Sequence, residues 1–437
     1  MFKSIANAFK DKEIRKRILL TLMMLAIFRL GAYIPIPGLD VAAINNSFDS
    51  TNTASFFNII ASINGTYGSQ GSIFSLGIMP FINAFIIMQL ITIIIPKLER
   101  MSKEGEEGRK KITQITRYVA IGLAVIQAFG FVMSWGDNFS GLFGTGAVNV
   151  WFSRIMAVII LTAGSTFVMW IGERITEYGI GNGTSLIIFI GIASTMGSSI
   201  ISAISTMSQQ TGSDLMGSIW WFIGFIFFVI LLFFFIVYVD MAERRIPVRY
   251  AKQVKGNKMY GGQTSNIPMK VNASGVMPII FASSFLMFPQ MIASFWENTD
   301  FYVNYAKWMG VNGYIYIPVM CLLILFFSYF YAQIQFNPID VSKNIQQYGG
   351  FIPGIRPGKP TSEYLAKINN RITLFGAIFL AIIALIPSVL VAVMPPELGL
   401  TNAFSATGLL IVVSVALETN KQLDSQIMMK TYKGFLK

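Results

Sequence analysis

The side chains that most often do chemistry in proteins are scarce in this sequence. Its 437 residues include no histidine and a single cysteine, Cys321, which lies in an apolar run. Without histidine the chain cannot build a Ser-His-Asp or Cys-His catalytic group, a histidine metal site or a histidine pH switch. A single cysteine also excludes an intrachain disulfide. We therefore expect neither an enzyme nor a bound cofactor or metal.

Acidic residues are almost absent from the long apolar segments. Glu173 and Glu177 lie near the end of one such segment, and Asp240 and Glu418 lie near the ends of two others. Ion-coupled transporters usually keep such groups within their helices, so this placement disfavours a carrier driven by protons or sodium ions. The sequence GIGNG at 179–183 follows an apolar helix rather than a strand, so it indicates a tight turn and not a nucleotide site.

The elements that carry these residues are predicted to be membrane helices. Hydrophobic residues make up 54% of the sequence and charged residues 12%, whereas a typical soluble domain has about 25% charged residues. Apolar runs of about 20 residues are long enough to cross a bilayer. The fold class predicted is all-α, a polytopic membrane protein with ten transmembrane helices. They are predicted at about 18–35, 73–95, 115–135, 153–172, 184–204, 218–239, 274–295, 314–335, 372–393 and 404–419.

Lysines and arginines are concentrated in alternate connections between the predicted spans. One set of connections carries 30 of these residues and the other carries 2, with Arg29 left inside the first span. Because cytoplasmic segments carry the excess of Lys and Arg, we predict that both termini are cytoplasmic. Ten helices could form two halves of five, which would be inverted relative to each other. The halves would be 1–204 and 205–437.

The stretch 56–96 joins a polar, glycine-rich piece to a spanning helix. Residues 73–95 contain no charge, whereas the piece before them is rich in Asn, Gly, Ser and Thr. That piece has too few apolar residues to cross the membrane. It is either a loop outside the membrane or a re-entrant segment that lines an aqueous cavity, and its length and polarity alone favour the loop.

Two predicted cytoplasmic loops, 241–272 and 337–371, are larger than a helix connection needs. Both are basic and rich in Gly, Pro and aromatic residues. Their charge could bind anionic lipid headgroups, or it could dock a cytoplasmic partner, for example one that carries RNA phosphates. Their size and aromatic content favour docking.

Isoleucines stand beside small or helix-breaking residues in several predicted spans. Each one alone would be explained by packing or by contact with lipid. As a set, they could form an apolar constriction in a pore. These residues are Ile78, Ile82, Ile188, Ile280 and Ile411.

Six sequence motifs follow one another in a fixed order along the chain. They are RLGAYIPIPG (29–38), SLGIMPFI (75–82), KEGEEGRKKI (103–112), TEYGIGNGTS (176–185), KVNASGVMPIIFASS (270–284) and FIPGIRPG (351–358). These motifs closely resemble the SecY family, the channel-forming subunits of the Sec protein translocase. The resemblance extends over nearly the whole chain and includes the loop sizes and the number of helices.

The resemblance implies two inverted five-helix halves around a central pore. It implies a plug after the first helix at about 55–71, and a lateral gate between helices 2 and 3 on one side and 7 and 8 on the other. The implied pore ring is Ile78, Ile82, Thr184, Ile188, Ile280 and Ile411, in which Thr184 replaces the usual aliphatic residue with a polar one. The implied plug residues are Ser55, Phe56, Phe57, Asn58, Ile59, Ile60, Ala61, Ser62, Ile63, Asn64 and Gly65. Polar residues that fit the gate are Asn83, Gln89, Gln127, Ser283 and Ser284, and the candidate docking residues are Arg244, Arg245, Arg249, Lys252, Lys258, Arg356 and Lys359.

The function implied is a channel that passes unfolded secretory polypeptides across the bacterial cell membrane and releases apolar segments sideways into lipid. The sequence has no P-loop, so energy would come from a partner. The implied partners are the SecE and SecG subunits, the motor ATPase SecA, the ribosome, and signal peptides and nascent polypeptides, all within or beside the lipid bilayer. The alternatives are a small-molecule or lipid transporter and, more remotely, an intramembrane enzyme.

Overall fold

The structure is a computed structural model of the chain, and most of the residues that it describes are helical. It describes residues 11–40, 71–135, 139, 147–209, 213–250, 253–255, 258–260, 264–272, 274–294, 308–309, 315–393 and 406–435. The helices are α1 (Lys12–Gly31), α2 (Met79–Ile94), α3 (Pro96–Lys103), α4 (Glu106–Ser134), α5 (Ala147–Tyr178), α6 (Gly183–Gln209), α7 (Ser213–Met241), α8 (Met277–Ser294), α9 (Tyr316–Gln335), α10 (Pro338–Gln347), α11 (Lys359–Val393) and α12 (Ala406–Phe435). The strands are β1 (Glu243–Tyr250), β2 (Gln253–Lys255), β3 (Lys258–Tyr260), β4 (Thr264–Lys270) and β5 (Gly350–Phe351).

Each of the ten predicted spans overlaps one of these helices, which makes the protein an all-α, polytopic membrane protein. Within the described ranges, six helices are long and apolar enough to cross a bilayer, and α2 with α3 adds a seventh if this bent pair is one span. The described parts of α1, α8 and α12 are not both long enough and apolar enough to meet this criterion. For α1 the reason is local, since the helix ends at Gly31 and the IPIP sequence that follows cannot continue it.

The second span begins later than its apolar sequence indicates. The prediction of a helix from Ile73 is wrong, because residues 71–78 form turns and α2 begins at Met79. Gly77 has a φ of 53°, in the left-handed region that glycine adopts without steric strain. Pro80 then lies in the first turn of α2, where its missing N–H removes no hydrogen bond. As a result, Ile78 is the N-cap of α2 and not an interior helical residue.

The chain bends by 102° between α2 and α3. Ile95 has the extended backbone expected before a proline, with φ of −96° and ψ of 111°, and Pro96 starts α3. The short helix α3 is charged, and its Lys103 Nζ donates to Glu99 Oε1 at 2.6 Å. This hydrogen bond lowers the pKa of the exposed Glu99 carboxyl. The apolar span therefore ends at Ile95, close to where the sequence predicts.

One compact unit of the chain consists of residues 1–219, 284–316 and 390–437. In it α4 packs against α2 and α5, α5 also contacts α1 and α6, and the last helix, α12, packs against α6. The ring of Phe74 stacks between Phe28 of α1 and Phe167 of α5, with centroid distances of 5.9 and 6.1 Å. Aromatic stacking of this kind fixes the approach of the turns at 71–78 to α1 and α5.

The second unit, residues 220–283 and 317–389, contains a sheet that the sequence analysis did not predict. The loop 241–272 forms β1 and β4, which pair antiparallel from Glu243 with Lys270 to Arg249 with Thr264. The loop 337–371 forms α10, β5 and the start of α11, and β5 pairs antiparallel with the other edge of β1. These two connections between predicted membrane helices therefore fold together into one small domain.

The sheet forms because residues of β1 alternate between a buried and an exposed face. Ile246 and Val248 are buried, whereas their neighbours Arg245, Pro247 and Arg249 are exposed. Fully burying one such aliphatic side chain contributes about 1.5–3 kcal/mol in water. The core beneath the sheet consists of Ile246, Val248, Met269, Ile345, Ile352, Leu365 and Ile368.

Candidate functional site

The predicted ring residues have side chains that are enclosed within the protein. The five isoleucines are between 2% and 6% exposed, and Thr184 is half-buried. Ile280 belongs to the second unit and the other five belong to the first. That these residues form an apolar constriction, whose isoleucines would offer no hydrogen bonds, stays a prediction.

Two ring positions converge on one residue of α5. A Cβ added at Gly172 would lie 3.4 Å from Ile78 Cδ1 and 3.6 Å from the backbone nitrogen of Thr184. The N-cap of α2 and the first turn of α6 are therefore neighbours across α5, although 106 residues of sequence separate them. The structure thus brings Ile78 and the start of α6 together within the first unit.

The GIGNG sequence forms the tight turn that was predicted, and it starts α6. Asn182 Oδ1 accepts hydrogen bonds from the backbone nitrogens of Thr184 at 3.1 Å and Ser185 at 3.4 Å. This is the arrangement of an N-cap, and it satisfies donors that the helix itself leaves free. Thr176 Oγ1 accepts a hydrogen bond from the nitrogen of Gly183 at 2.9 Å, so α5 and α6 are joined directly. Thr184 and Ile188 are thereby placed in the first two turns of α6.

The turn before α2 is also fixed against α5. Ser165 Oγ donates to the carbonyl oxygen of Gly77 at 3.0 Å, in a buried position. Ser75 Oγ donates to the carbonyl oxygen of Ser72 at 2.7 Å and closes the turn internally. Ile78 and Ile82 follow directly, so their positions depend on these contacts.

The predicted plug, Ser55 to Gly65, lies outside the described residues. What the structure describes is the two ends of the segment that contains it. The nitrogen of Ile36 donates to the carbonyl oxygen of Gly71 at 2.9 Å, and that of Ile73 donates to the carbonyl oxygen of Ile34 at 3.0 Å. Residues 34–36 and 71–73 therefore lie side by side, and the segment between them leaves and returns at one place.

The predicted gate residues are mostly buried. Asn83 on α2, Gln127 on α4 and Ser284 on α8 are at most 3% exposed. Among the described residues, Asn83 Oδ1, Gln89 Oε1 and Ser284 Oγ have no hydrogen-bond partner. Ser283 Oγ donates within its own helix, to the carbonyl oxygen of Ile280 at 3.0 Å. Among the described residues, the oxygen atoms named for Asn83, Gln89, Ser283 and Ser284 thus form no hydrogen bond to another helix. The role of the five predicted residues in a gate stays a prediction.

The predicted docking residues lie mainly on the sheet domain of the second unit. Arg244, Arg245 and Arg249 are exposed on β1, and Arg245 donates to Glu243 Oε1 through Nε at 3.1 Å and Nη2 at 2.9 Å. Lys258 is in β3, Lys359 is the first residue of α11, and Lys252 lies outside the described residues.

The loop that carries Arg356 is held at its backbone and exposed at its side chain. Thr361 Oγ1 donates to the carbonyl oxygen of Arg356 at 2.8 Å, and Ser342 Oγ donates to that of Gly358 at 2.7 Å. Ile352 is buried in the core of the sheet domain, and Ile355 packs against it. Arg356 is therefore presented to solvent by a loop that its neighbours keep in one position.

One residue that positions the site was missed by the sequence analysis. Thr21 of α1 is 8% exposed, and its Oγ1 accepts a hydrogen bond from the nitrogen of Ile180 in the GIGNG turn at 3.1 Å. No spacing in the sequence points to this contact, because 159 residues separate its two partners.

Comparisons with known proteins agree with this arrangement. The sequence matches the family described as SecY over residues 72–420. A protein translocase subunit SecY of Streptomyces scabiei is 42% identical, and the alignment covers 100% of both chains. One of Thermus thermophilus is also 42% identical, with 100% of this chain and 98% of that protein covered.

Solved structures show the same fold at lower sequence identity. One described as the structure of a protein conducting channel has a TM-score of 0.64 and 20% identity, and the match covers 93% of this chain and 91% of that one. A structure of SecY concerned with its plug domain has a TM-score of 0.62, 20% identity and the same coverage. Sec61 in a canine ribosome-channel complex has a TM-score of 0.62 and 19% identity, again with 93% and 91% covered.

Proposed function

Because the chain belongs to the SecY family of protein translocase subunits, we propose that unfolded secretory polypeptides cross the membrane through it and that apolar segments leave it sideways into lipid. It is a protein-conducting channel of the membrane and not an enzyme. The observation that carries the finer proposal is the set of buried isoleucines at helix starts and breaks, one of which, Ile78, lies beside Gly172 of α5 and close to the first turn of α6. The comparisons give no support to a small-molecule or lipid transporter.

The pore ring explains how a polypeptide could pass without a leak of ions. An apolar constriction resists wetting when it is empty. Isoleucine side chains also make no lasting hydrogen bonds to a passing chain, so they do not hold it. Thr184 introduces one hydroxyl at this ring, where we expect the seal to be most easily wetted.

The plug would control passage across the membrane, and the gate would control release sideways into lipid. We assign the plug to about 55–71, within the longer segment whose two ends are joined at residues 34–36 and 71–73. A related SecY is described as having a plug domain that stabilises the closed state and maintains a membrane seal. Sideways release requires a gate, and transfer of about 20 apolar residues into lipid is favourable enough to drive it.

The basic sheet domain is the surface that we assign to cytoplasmic partners. Similar channels are described in complex with ribosomes, and the exposed arginines on β1 and at Arg356 would suit a partner that carries phosphates or carboxylates. We propose the ribosome and SecA as the partners of this surface, and SecE and SecG as companion subunits. The same charge distribution supports a location of both termini and of the sheet domain in the cytoplasm of a bacterial cell.

The experiment that tests the function replaces Ile82, Ile188 and Ile280 together with Ser. The complex is purified with its companion subunits and reconstituted into planar bilayers and vesicles. We expect the resting ion conductance to rise well above wild type, because each change exchanges an apolar wall for a hydrogen-bonding one, while polypeptide translocation persists.

Three neighbouring isoleucines supply the matched control. Ile86, Ile192 and Ile279 are equally buried on the same three helices but are outside the ring. Their replacement with Ser should lower the yield of assembled complex without a leak. Wild-type conductance of the assembled ring variant would contradict the ring assignment, and absence of polypeptide transport by the wild-type complex would contradict the function.

A further inference from the structure

The turn before α6 is contacted by two helices that are distant in sequence. Ile180 in this turn forms a buried cluster with Ile14 of α1 and Leu423 of α12. Gly181 lies beside Thr419 of α12, since a Cβ at Gly181 would be 3.2 Å from Thr419 Oγ1. The start of α6 is thus held between α1 and α12, which are distant from each other in the sequence.

The contact with α1 is a specific hydrogen bond as well as packing. Thr21 Oγ1 accepts from the nitrogen of Ile180 at 3.1 Å and donates to the carbonyl oxygen of Arg17 at 2.9 Å. Both hydrogen-bonding functions of the hydroxyl are therefore used. Gly179 lies against the same oxygen, because a Cβ there would be 2.5 Å from it. A buried backbone N–H needs a partner, and in this turn a side chain of α1 supplies it.

From these contacts we propose that Thr21 is a positioning residue for the pore: it keeps the turn before α6, and with it Thr184 and Ile188, in the place that closes the ring. This inference rests on the proposed role of the ring. Only three residues separate Ile180 from Thr184. These residues are fixed in turn by the bonds of Asn182 and Thr176, so a shift at Ile180 is passed on to the first turn of α6.

The test compares substitutions that keep or remove the hydroxyl. Thr21→Val keeps the shape of the side chain and leaves the nitrogen of Ile180 without its partner, whereas Thr21→Ser keeps both hydrogen bonds. Thr116→Val is a matched control, because Thr116 is also buried but its Oγ1 donates to Ile112 of its own helix at 2.9 Å. Thr21→Ala is a second variant that removes the hydroxyl without adding a methyl group in its place.

The measurement is the resting ion conductance of the purified, assembled translocase in planar bilayers, together with polypeptide translocation into vesicles. For Thr21→Val we expect the leak to rise about tenfold, the size of effect that one lost buried hydrogen bond can have on a closed–open equilibrium. We expect Thr21→Ser and Thr116→Val to remain close to wild type, and all four variants to translocate polypeptide.

Several outcomes would overturn the proposal. A wild-type leak in both Thr21→Val and Thr21→Ala, with normal translocation, would show that Thr21 does not position the ring, while the channel function itself would stand. Failure of both variants to assemble, when Thr21→Ser and Thr116→Val assemble, would make Thr21 a folding residue only. If wild type moves no polypeptide in the same vesicles, the proposed function fails instead.

Discussion

At the scale of single residues, the closest packing occurs at glycines rather than at large side chains. A Cβ at Gly183 would overlap the carbonyl oxygen of Gly172 and press on Ile175, so α5 and α6 can approach only because Gly183 has no side chain. In lipid the hydrophobic effect does not drive helices together, so helix association depends on the van der Waals contacts that such close approach allows. Gly183 thus helps to set the position of the first turn of α6, which carries Thr184 of the proposed ring.

Gly183→Ala should destabilise the protein by about 3 kcal/mol or more, because the clash is with backbone atoms that cannot rotate away. Thermal unfolding of the purified complex measures the loss. Gly197→Ala in the same helix is the control, since a Cβ there meets nothing within 4 Å and should raise the stability by up to about 1 kcal/mol. Equal melting temperatures for the two variants would contradict the packing at Gly183.

The buried amides of the predicted gate suggest a second test at this scale. Asn83 Oδ1 is buried without a partner in the described part of the chain, so Asn83→Leu would remove a polar atom that packing leaves unsatisfied. We expect the closed packing to become more stable by roughly 1 kcal/mol. A signal peptide would then need to be more hydrophobic to open the gate.

Export of a series of signal peptides of graded hydrophobicity measures this threshold. Gln127→Leu should shift it in the same direction. Ser283→Ala is the contrast within the predicted gate, since its hydroxyl bonds only to its own helix in the structure, and it should change the threshold less. An unchanged threshold for both Leu variants would remove Asn83 and Gln127 from the gate.

At the scale of elements, the helices could be predicted from the sequence and the strands could not. Apolar runs identify the helices because each run must cross the same thickness of lipid. The sheet was missed because its core comes from four separate pieces of chain, represented by Ile246, Met269, Ile345 and Leu365. The alternation in ERRIPVRY was a local signal of β1, but three charged residues at its start and Pro247 within it made that signal weak.

The loop with Arg356 shows that prediction from the sequence has the same limit at the proposed docking surface. Its basic residue and its GIRPG sequence could be recognised, but the hydrogen bonds from Ser342 and Thr361 that hold it depend on the fold. A fixed loop presents one charge at one place, and so it is better suited to recognise a partner than a free loop would be.

Arg356→Glu should abolish export driven by SecA while the complex still folds, because an exposed charge contributes little to stability. Export into inverted membrane vesicles measures the effect, and thermal unfolding checks the fold. Arg371→Glu is a suitable control, since Arg371 is exposed on α11 of the same unit but outside the docking set, and we expect it to retain most of the export. Normal export by a stable Arg356→Glu protein would exclude Arg356 from docking.

At the scale of the whole molecule, the distribution of charge is the property that the sequence predicts most directly. The count of 30 basic residues against 2 in alternate connections would be lost if one span were missed or added before the last loop. By contrast, the ring depends on how helices approach each other. Its members could be proposed from the resemblance, but Thr21, which the resemblance does not mark, became visible only through its contact with Ile180.

The predicted topology can be tested by labelling single cysteines in a background from which Cys321 has been removed. Cysteines at Lys255 and Gly358 should react only with reagents applied from the cytoplasmic side, and one at Asn312 only with reagents applied from outside. Labelling before and after the membrane is made permeable distinguishes an inaccessible site from one on the far side. Reaction of the cysteine at Gly358 from outside would rule out ten spans with cytoplasmic termini.

The contact of Leu423 with Ile14 and Ile180 sets an order for biosynthesis. Leu423 is added to the growing chain 243 residues after Ile180. At about 5–20 residues per second, the earlier helices wait on the order of ten seconds or more for this partner. During that interval Ile14 and Ile180 lack the third buried member of their cluster. The cluster that holds the turn before α6 is therefore completed only after α12 has been made.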